Sequence, residues 1–365
     1  MEKILMIGPF SKQINGMTVA NKMLLSGLKY KYQVEFIDTL KEVKFDNKEN
    51  QGEFRLLKFL KILKYMFKEI YMVTTNHYKC IYMTPGQSFY GFARFIPYML
   101  VAIIKKQVFY LHIHGSKFRE IYDRQPKLKQ FLIKFFLKRA KGIILLGDSL
   151  RFMFEGIVAQ DRIFICENGV EDRFVASPKE LETKIKNKKI EEKQYVLFLS
   201  NLMEDKGILT LLKASESFSE KEILINLAGK IEPKIEPKIM DYLNKNPEKI
   251  IYNGVVDGFR KKELLLKSDI FILPSKDEGQ PISILEAYAN ACSVITDENV
   301  GGIGDIFSGN INGYACDNKD YFTIVEGIKK LKFDKNSMMK NYNYYNLYFT
   351  EKEFVGRIVD ILENN

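Results

Sequence analysis

The sequence is poor in the residues that staple a chain together from outside its core. Among 365 residues there are four cysteines, at 80, 166, 292 and 316, and no Cys-x-x-Cys pair. Disulfide frameworks and cysteine-rich zinc modules are therefore excluded, and the thiols read as small buried apolar groups in a reducing compartment. Histidine is scarce too, with three in the chain, which leaves little for a histidine-built metal centre. Long apolar runs are missing. The most apolar stretch, Phe89–Ile104, is broken by Arg94, and its uninterrupted part from Phe95 has ten residues against the roughly 20 that cross a bilayer. The opening MEKILMIGPF is too short an apolar run for a signal peptide and reads as a first strand. No low-complexity tract or solenoid repeat is visible. The expectation is a cytoplasmic protein, soluble or peripheral on the inner face of the cell membrane.

What the chain does have is length and apolar content. With 46% hydrophobic and 28% charged residues, it buries cores without help from metal or disulfide, and at roughly 150 residues per domain it has room for two. The formal net charge is +10. It is unevenly placed: residues 1–185 carry 31 Lys/Arg against 18 Asp/Glu, a net of +13, and the remainder carries 25 against 28, a net of −3. A Lys-rich genome would raise both halves alike, so the split points to an acidic partner for the first half.

Strand-like runs alternate with helix-length segments, which predicts parallel sheets covered by helices on both faces. The first series is Lys3–Ile7, Gln33–Ile37, Cys80–Met83, Gln107–Ile113, Gly142–Leu146 and Ile163–Cys166, with a helix near Thr18–Leu28. Residues 176–193 are charged and read as a linker or surface segment. The series restarts at Tyr195–Ser200, Leu224–Ala228, Ile250–Tyr252, Ile270–Leu273 and Ser293–Thr296, and the chain ends in an amphipathic helix near Lys352–Glu363. The fold class expected is α/β, with two tandem Rossmann-like doubly wound domains facing a central cleft. Such sheets bind ligands at the carboxyl ends of their strands.

The segment SDIFILPSKDEGQPISILEAYANACSVIT, residues 268–296, carries the strongest signal. A strand ends at Pro274, a polar loop follows, and a helix begins near Pro281, a residue suited to a first helical turn. A helix N-terminus offers unpaired N–H groups and the positive end of a dipole to a phosphate. Glu278 precedes the helix and Glu286 lies within it. By themselves, two acids eight apart also fit a plain strand–turn–helix.

In context, the segment resembles the signature of family 4 retaining glycosyltransferases, an E-x-x-x-x-x-x-x-E pair in the second domain of the GT-B fold. Leu199-Ser200-Asn201-Leu202 with Lys206-Gly207 resembles the family's phosphate-binding segment. Leu227-Ala228-Gly229, Asn253-Gly254-Val255, Gly301-Gly302-Ile303 and Asn312-Gly313-Tyr314 are similar to its flanking loops. In the first half, Asn15-Gly16 resembles the glycine-rich loop, His114-Gly115-Ser116 the His-Gly-Thr-type motif, and Asn168-Gly169-Val170 the segment before the domain crossover. The implied organisation is an N-terminal acceptor-side domain at 1–175, a linker at 176–193, a donor-binding domain at 194–345, and a helix at 346–365 returning to the first domain.

The resemblance implies roles. Glu286 holds the ribose of a nucleotide-sugar donor, and Glu278 lies beside the transferred sugar. Gly279 and the N–H groups of Gln280, Ile282 and Ser283 meet sugar hydroxyls or the diphosphate, while Pro281 has no N–H to give. Lys206 neutralises the diphosphate as a point charge. Asn201 stands where the family usually has Arg, and supplies hydrogen bonds without charge. Gly16 belongs to the donor site, and His114 contacts the sugar near its anomeric centre. His112 shares a strand face with His114. No Asp-x-Asp occurs, which fits a transfer without metal, and no cofactor is expected beyond the donor substrate, with a UDP-linked sugar ahead of a GDP-linked one.

The acceptor implied is a saccharide, with a lipid-linked one fitting the charge split. Arg55, Lys58, Lys61, Lys64 and Lys68 in residues 54–72, and Lys134, Lys138 and Lys141 beside Phe131, Phe135 and Phe136 in residues 127–141, recur at helical spacing. Basic amphipathic helices of this kind suit an anionic membrane surface; packed helices with a solvated lysine face have the same pattern. Other readings are another GT-B enzyme, such as a sugar-nucleotide epimerase or a phosphorylase, and a non-catalytic basic binding protein. No zinc, RRM-like or helix-turn-helix pattern supports a nucleic-acid partner.

Overall fold

A computed structural model of the chain describes residues 1–10, 16–40, 69–187, 193–332 and 334–364. The basic run from Arg55 to Lys68 lies outside the described residues. The chain divides into two compact units, Met1–Glu167 with Phe354–Asn365, and Asn168–Glu353. The first division therefore falls after Glu167 rather than after Val175, and the second after Glu353 rather than after Tyr345.

The first unit is built on six parallel strands: β1 (Lys3–Gly8), β2 (Gln33–Asp38), β3 (Cys80–Met83), β4 (Phe109–Ile113), β5 (Gly142–Leu145) and β6 (Ile163–Ile165), in the order β2-β1-β3-β4-β5-β6. Strand periodicity sends alternate residues to opposite faces, and both faces are covered. Ile4 and Met6 join Tyr82, Tyr110 and Ile144 against Ala20, Met23 and Leu24 of the helix Gly16–Leu28. The terminal helix Glu351–Asn364 packs on this same face through Phe354, Ile358, Ile361 and Leu362. Leu5, Ile7, Met83 and Leu111 face the other way, against Met99, Ile133 and Phe136 of helices Ile96–Ile104 and Lys127–Leu137.

The second unit repeats the plan. Its strands are β7 (Gln194–Leu199), β8 (Ile223–Ala228), β9 (Ile250–Tyr252), β10 (Ile270–Leu273), β11 (Ser293–Thr296) and β12 (Gly313–Ala315), all parallel, in the order β12-β11-β10-β7-β8-β9. This is the Rossmann order, and the chain reverses direction of travel across the sheet between β7 and β10. The crevice outside the carboxyl ends of those two strands is the place where such sheets take ligands.

Two elements differ from the sequence reading. Residues 178–187 form a helix, Pro178–Asn187, within the stretch read as linker. Ser177 and Glu180 cap it reciprocally, the Ser177 N–H donating to Glu180 Oε2 at 2.7 Å and the Glu180 N–H to Ser177 Oγ at 3.3 Å. This is a capping box, and Leu181 and Lys184 are buried beneath it. The short strand β12, read as loop, is held by β11; three residues are too few to show an alternating pattern.

Candidate active site

Two loops of the second unit meet at the switch point. After β7 the chain passes Ser200 and Asn201, makes a single helical turn at Glu204–Lys206, and enters the helix Ile208–Ser215 through Gly207. Gly207 has a φ of +76°, and a Cβ there would stand 2.1 Å from the Pro274 carbonyl oxygen. Only glycine lets the β7 loop come this close to the end of β10. The loops are also stitched together: the Lys276 N–H donates to the Asp205 carbonyl at 2.8 Å, and Ser275 Oγ donates to the same oxygen at 3.2 Å.

This stitching brings Lys206 to Glu278. Lys206 Nζ lies 2.7 Å from Glu278 Oε1 and donates to the Asp277 carbonyl at 3.2 Å. Burial pushes the Glu278 carboxyl above its ordinary range, against the pull of Lys206 in the opposite direction. Asn201 is exposed at the end of β7.

Past Glu278 and Gly279 the chain enters the helix Ile282–Ala289 at Pro281. Ile282 and Ser283 open this helix, where backbone N–H groups have no carbonyl one turn earlier to bind. Gln280 is buried, and its side chain is engaged with the start of the unit: the Asn168 N–H donates to Gln280 Oε1 at 2.6 Å, and Asn168 Nδ2 donates to the Gln280 carbonyl at 3.1 Å.

Glu286 sits one turn into the helix with 2% of its surface exposed. Its Oε1 lies 2.5 Å from Lys261 Nζ, on the helix Gly258–Lys267. The ammonium also rests 4.3 Å from the centre of the Phe174 ring. Burial again raises the carboxyl, with Lys261 opposing and the charges of Glu171 and Asp257 adding to the rise. Lys261 and Phe174 are absent from the sequence reading. Lys261 stands in a run of charged residues that looks like a solvated helix face, and only the buried position of its partner distinguishes it.

In the first unit, His112 and His114 end the fourth strand with their rings 4.1 Å apart, on one face as the strand period requires. His112 is fully buried, and its Nδ1 meets the Tyr82 hydroxyl at 2.5 Å. The Nε2 atoms of both rings are buried without a hydrogen-bond partner. Burial lowers both imidazoles, His114 to about 3, so both are neutral near pH 7. Gly16 opens the helix Gly16–Leu28 and is exposed.

The second unit thus assembles Asn201, Lys206, Glu278, Gly279, Ile282, Ser283 and Glu286 along one carboxyl edge, while Gly16 and His114 belong to the first unit. Two partly buried ion pairs, Lys206–Glu278 and Lys261–Glu286, flank one strand–loop–helix segment. Buried pairs add little to stability against apolar replacements, and ionisable groups shifted by burial cluster where proteins bind and react. Among the described residues, no three His, Cys, Asp or Glu side chains gather as a metal site would require, and no helix is long and apolar enough to cross a membrane.

Comparison with known proteins follows the same lines. Residues 180–346 match the family described as glycosyl transferases group 1. CapM of Staphylococcus aureus, a capsular polysaccharide biosynthesis glycosyltransferase, is 24% identical over 231 residues, 60% of this chain and 59% of that protein. An N,N'-diacetylbacillosaminyl-diphospho-undecaprenol alpha-1,3-N-acetylgalactosaminyltransferase of Campylobacter jejuni is 27% identical over 150 residues, 41% of this chain and 38% of that protein. The chain thus matches about three-fifths of the first relative's length and less of the second's. The crystal structure of HepE from Anabaena in complex with UDP superposes with a TM-score of 0.73 at 14% identity, covering 100% of both chains. Residues 180–346 are thus similar to the group 1 glycosyl transferases, and the two doubly wound sheets have the GT-B fold.

Proposed function

We propose that this chain is a retaining glycosyltransferase that moves a hexose or N-acetylhexosamine from a nucleotide-sugar donor to a saccharide acceptor in the synthesis of a surface polysaccharide. The observation that carries the reading is the Lys206–Glu278 pair at 2.7 Å, at the switch point of the second sheet and beside the helix that opens at Ile282. A nucleoside diphosphate leaving the anomeric carbon gains negative charge. The Lys206 ammonium and the N–H groups of Ile282 and Ser283 are fixed positive ends for that charge. Glu286 takes the ribose, and Glu278 with Gly279 takes hydroxyls of the sugar. His114, neutral and with a free Nε2, accepts from or donates to a sugar hydroxyl. The acceptor hydroxyl forms the new bond to the anomeric carbon, the bond to the diphosphate breaks, and the hydroxyl proton leaves with it. The chemistry asks for no metal, because lysine and backbone dipoles supply the electrostatics.

UDP is the favoured carrier, supported by the UDP in HepE. A lipid-linked acceptor is supported by the undecaprenol-linked substrate in the name of the Campylobacter relative and by the basic first half. On the helix Lys127–Leu137, Leu128 and Phe131 are exposed at 78% and 66%, with Lys129 and Lys134 on the same element. Phe136 is buried in the core. Exposed apolar groups among lysines suit an anionic bilayer surface, and they support a reading in which the work is done at the inner face of the membrane. A thermal-shift panel of nucleotides and nucleotide sugars tests the donor, since a ligand of the native state raises the melting temperature by mass action. Stabilisation by one nucleotide sugar, and its turnover abolished in Glu278→Ala and Glu286→Ala, is the expected result. Unchanged turnover in both variants overturns the site.

A further inference from the structure

Glu286 offers its two carboxylate oxygens to different surroundings. Oε1 is taken by Lys261 Nζ at 2.5 Å, while Oε2 accepts no hydrogen bond from any described residue. Lys261 is not a solvated surface lysine that happens to reach an acid. Its side chain is 12% exposed and that of Glu286 is 3% exposed, and the Phe174 ring backs the ammonium at 4.3 Å. Asn290 ties the two sides together, its Nδ2 donating to the Phe174 carbonyl at 2.7 Å and to the Glu286 carbonyl at 2.8 Å. A leucine or methionine at 261 would fill this place without the desolvation cost of an ammonium.

We propose that Lys261 is a positioning residue for a nucleotide's ribose: by holding Oε1 it fixes the Glu286 carboxylate and leaves Oε2 as the acceptor for a ribose hydroxyl. This deepens the donor-site reading above and rests on it. Ionised, a carboxylate only accepts, so it selects a ligand with hydroxyl donors. Without Lys261 the carboxylate faces the negative charges of Glu171 and Asp257, which Arg173 partly offsets through contacts of 2.7 Å and 3.8 Å. In that field Glu286 takes up a proton at higher pH and ceases to be a pure acceptor.

The test is calorimetric titration of uridine and guanosine diphosphates, and of their 2′,3′-dideoxy analogues, into the whole protein and its Lys261→Met, Lys261→Gln and Lys261→Arg variants. The wild-type chain is expected to prefer the ribonucleotide over the dideoxy analogue by about tenfold or more, the worth of a charge-assisted hydrogen bond. Lys261→Met should erase most of that preference and make ribonucleotide affinity fall with decreasing pH, and Lys261→Arg should restore it. A merely structural lysine would weaken both ligands alike and leave their ratio intact. Lys261→Gln, milder on folding, is read in the same way where the methionine variant does not fold. An unchanged ratio in a variant that still binds overturns the Lys261 proposal alone. No binding of any nucleoside diphosphate by the wild-type chain overturns the donor reading, and the proposal with it.

Discussion

Lys206 Nζ lies 2.7 Å from Glu278 Oε1, so the cation assigned to the donor's diphosphate is already committed to the carboxylate assigned to its sugar. A donor entering this site has to share or displace that contact. Removing the lysine therefore acts twice, by taking away leaving-group stabilisation and by leaving the partly buried Glu278 without its counter-charge. Lys206→Ala is expected to lower transfer by about 100-fold or more, the usual loss on deleting one preorganised electrostatic contact. Lys206→Arg should retain a larger share of activity, and initial rates with saturating donor compare the two. A full rate in Lys206→Ala would separate this lysine from the chemistry.

The spacing between Lys206 and the β10 loop depends on Gly207, whose backbone is left-handed and whose missing Cβ leaves room for the Pro274 carbonyl. In Gly207→Ala the added methyl meets that oxygen at 2.1 Å, so the loops must separate. Left-handed strain and the clash together are expected to cost about 2 kcal/mol or more, read as a lowered denaturation midpoint. Catalysis should fall along with it, because Lys206 is the neighbouring residue. Wild-type stability in this variant would mean that the two loops do not pack as described.

Much of this arrangement was legible in the chain and some of it was not. Apolar runs bounded by turn residues located eleven of the twelve described strands, because buried parallel strands are continuous and apolar. The Glu278 and Glu286 signature stood out through the residues around it. Lys261 did not, since a lysine in a charged helix looks the same whether its head group meets water or a buried acid. The helix at 178–187 was missed for another reason. Its capping signal, Ser177-Pro178-Lys179-Glu180, was present, but the charged residues after it masked the two positions, Leu181 and Lys184, that face inward.

Asn201 is exposed at the end of β7, where the resemblance calls for an arginine. Restoring the cation by Asn201→Arg should tighten nucleoside diphosphate binding by about threefold, the modest worth of an exposed charge contact. The gain should shrink as salt is raised, because exposed charges are screened. Titrations at low and physiological ionic strength measure both effects. An unchanged affinity at low salt would mean that the side chain at 201 does not face the phosphates.

His112, which is buried, and His114, whose Nε2 is buried, contribute to how the first unit responds to acid. Burial holds His114 down to about 3 and also lowers His112 well below its ordinary value, where the neighbouring His114 adds to the effect. Unfolded, each would titrate near its ordinary value, about 6.5. Between about pH 3 and 6.5 the unfolded chain therefore binds more protons than the native one, so stability falls as pH drops through this window. At pH 5 each histidine is expected to cost up to about 2 kcal/mol relative to pH 7. His114→Gln, which cannot take the proton, should lose less stability between those pH values than the wild-type chain, as read from paired urea titrations. An equal loss in both would place the acid sensitivity elsewhere and would mean that His114 is solvated enough to protonate in the native state.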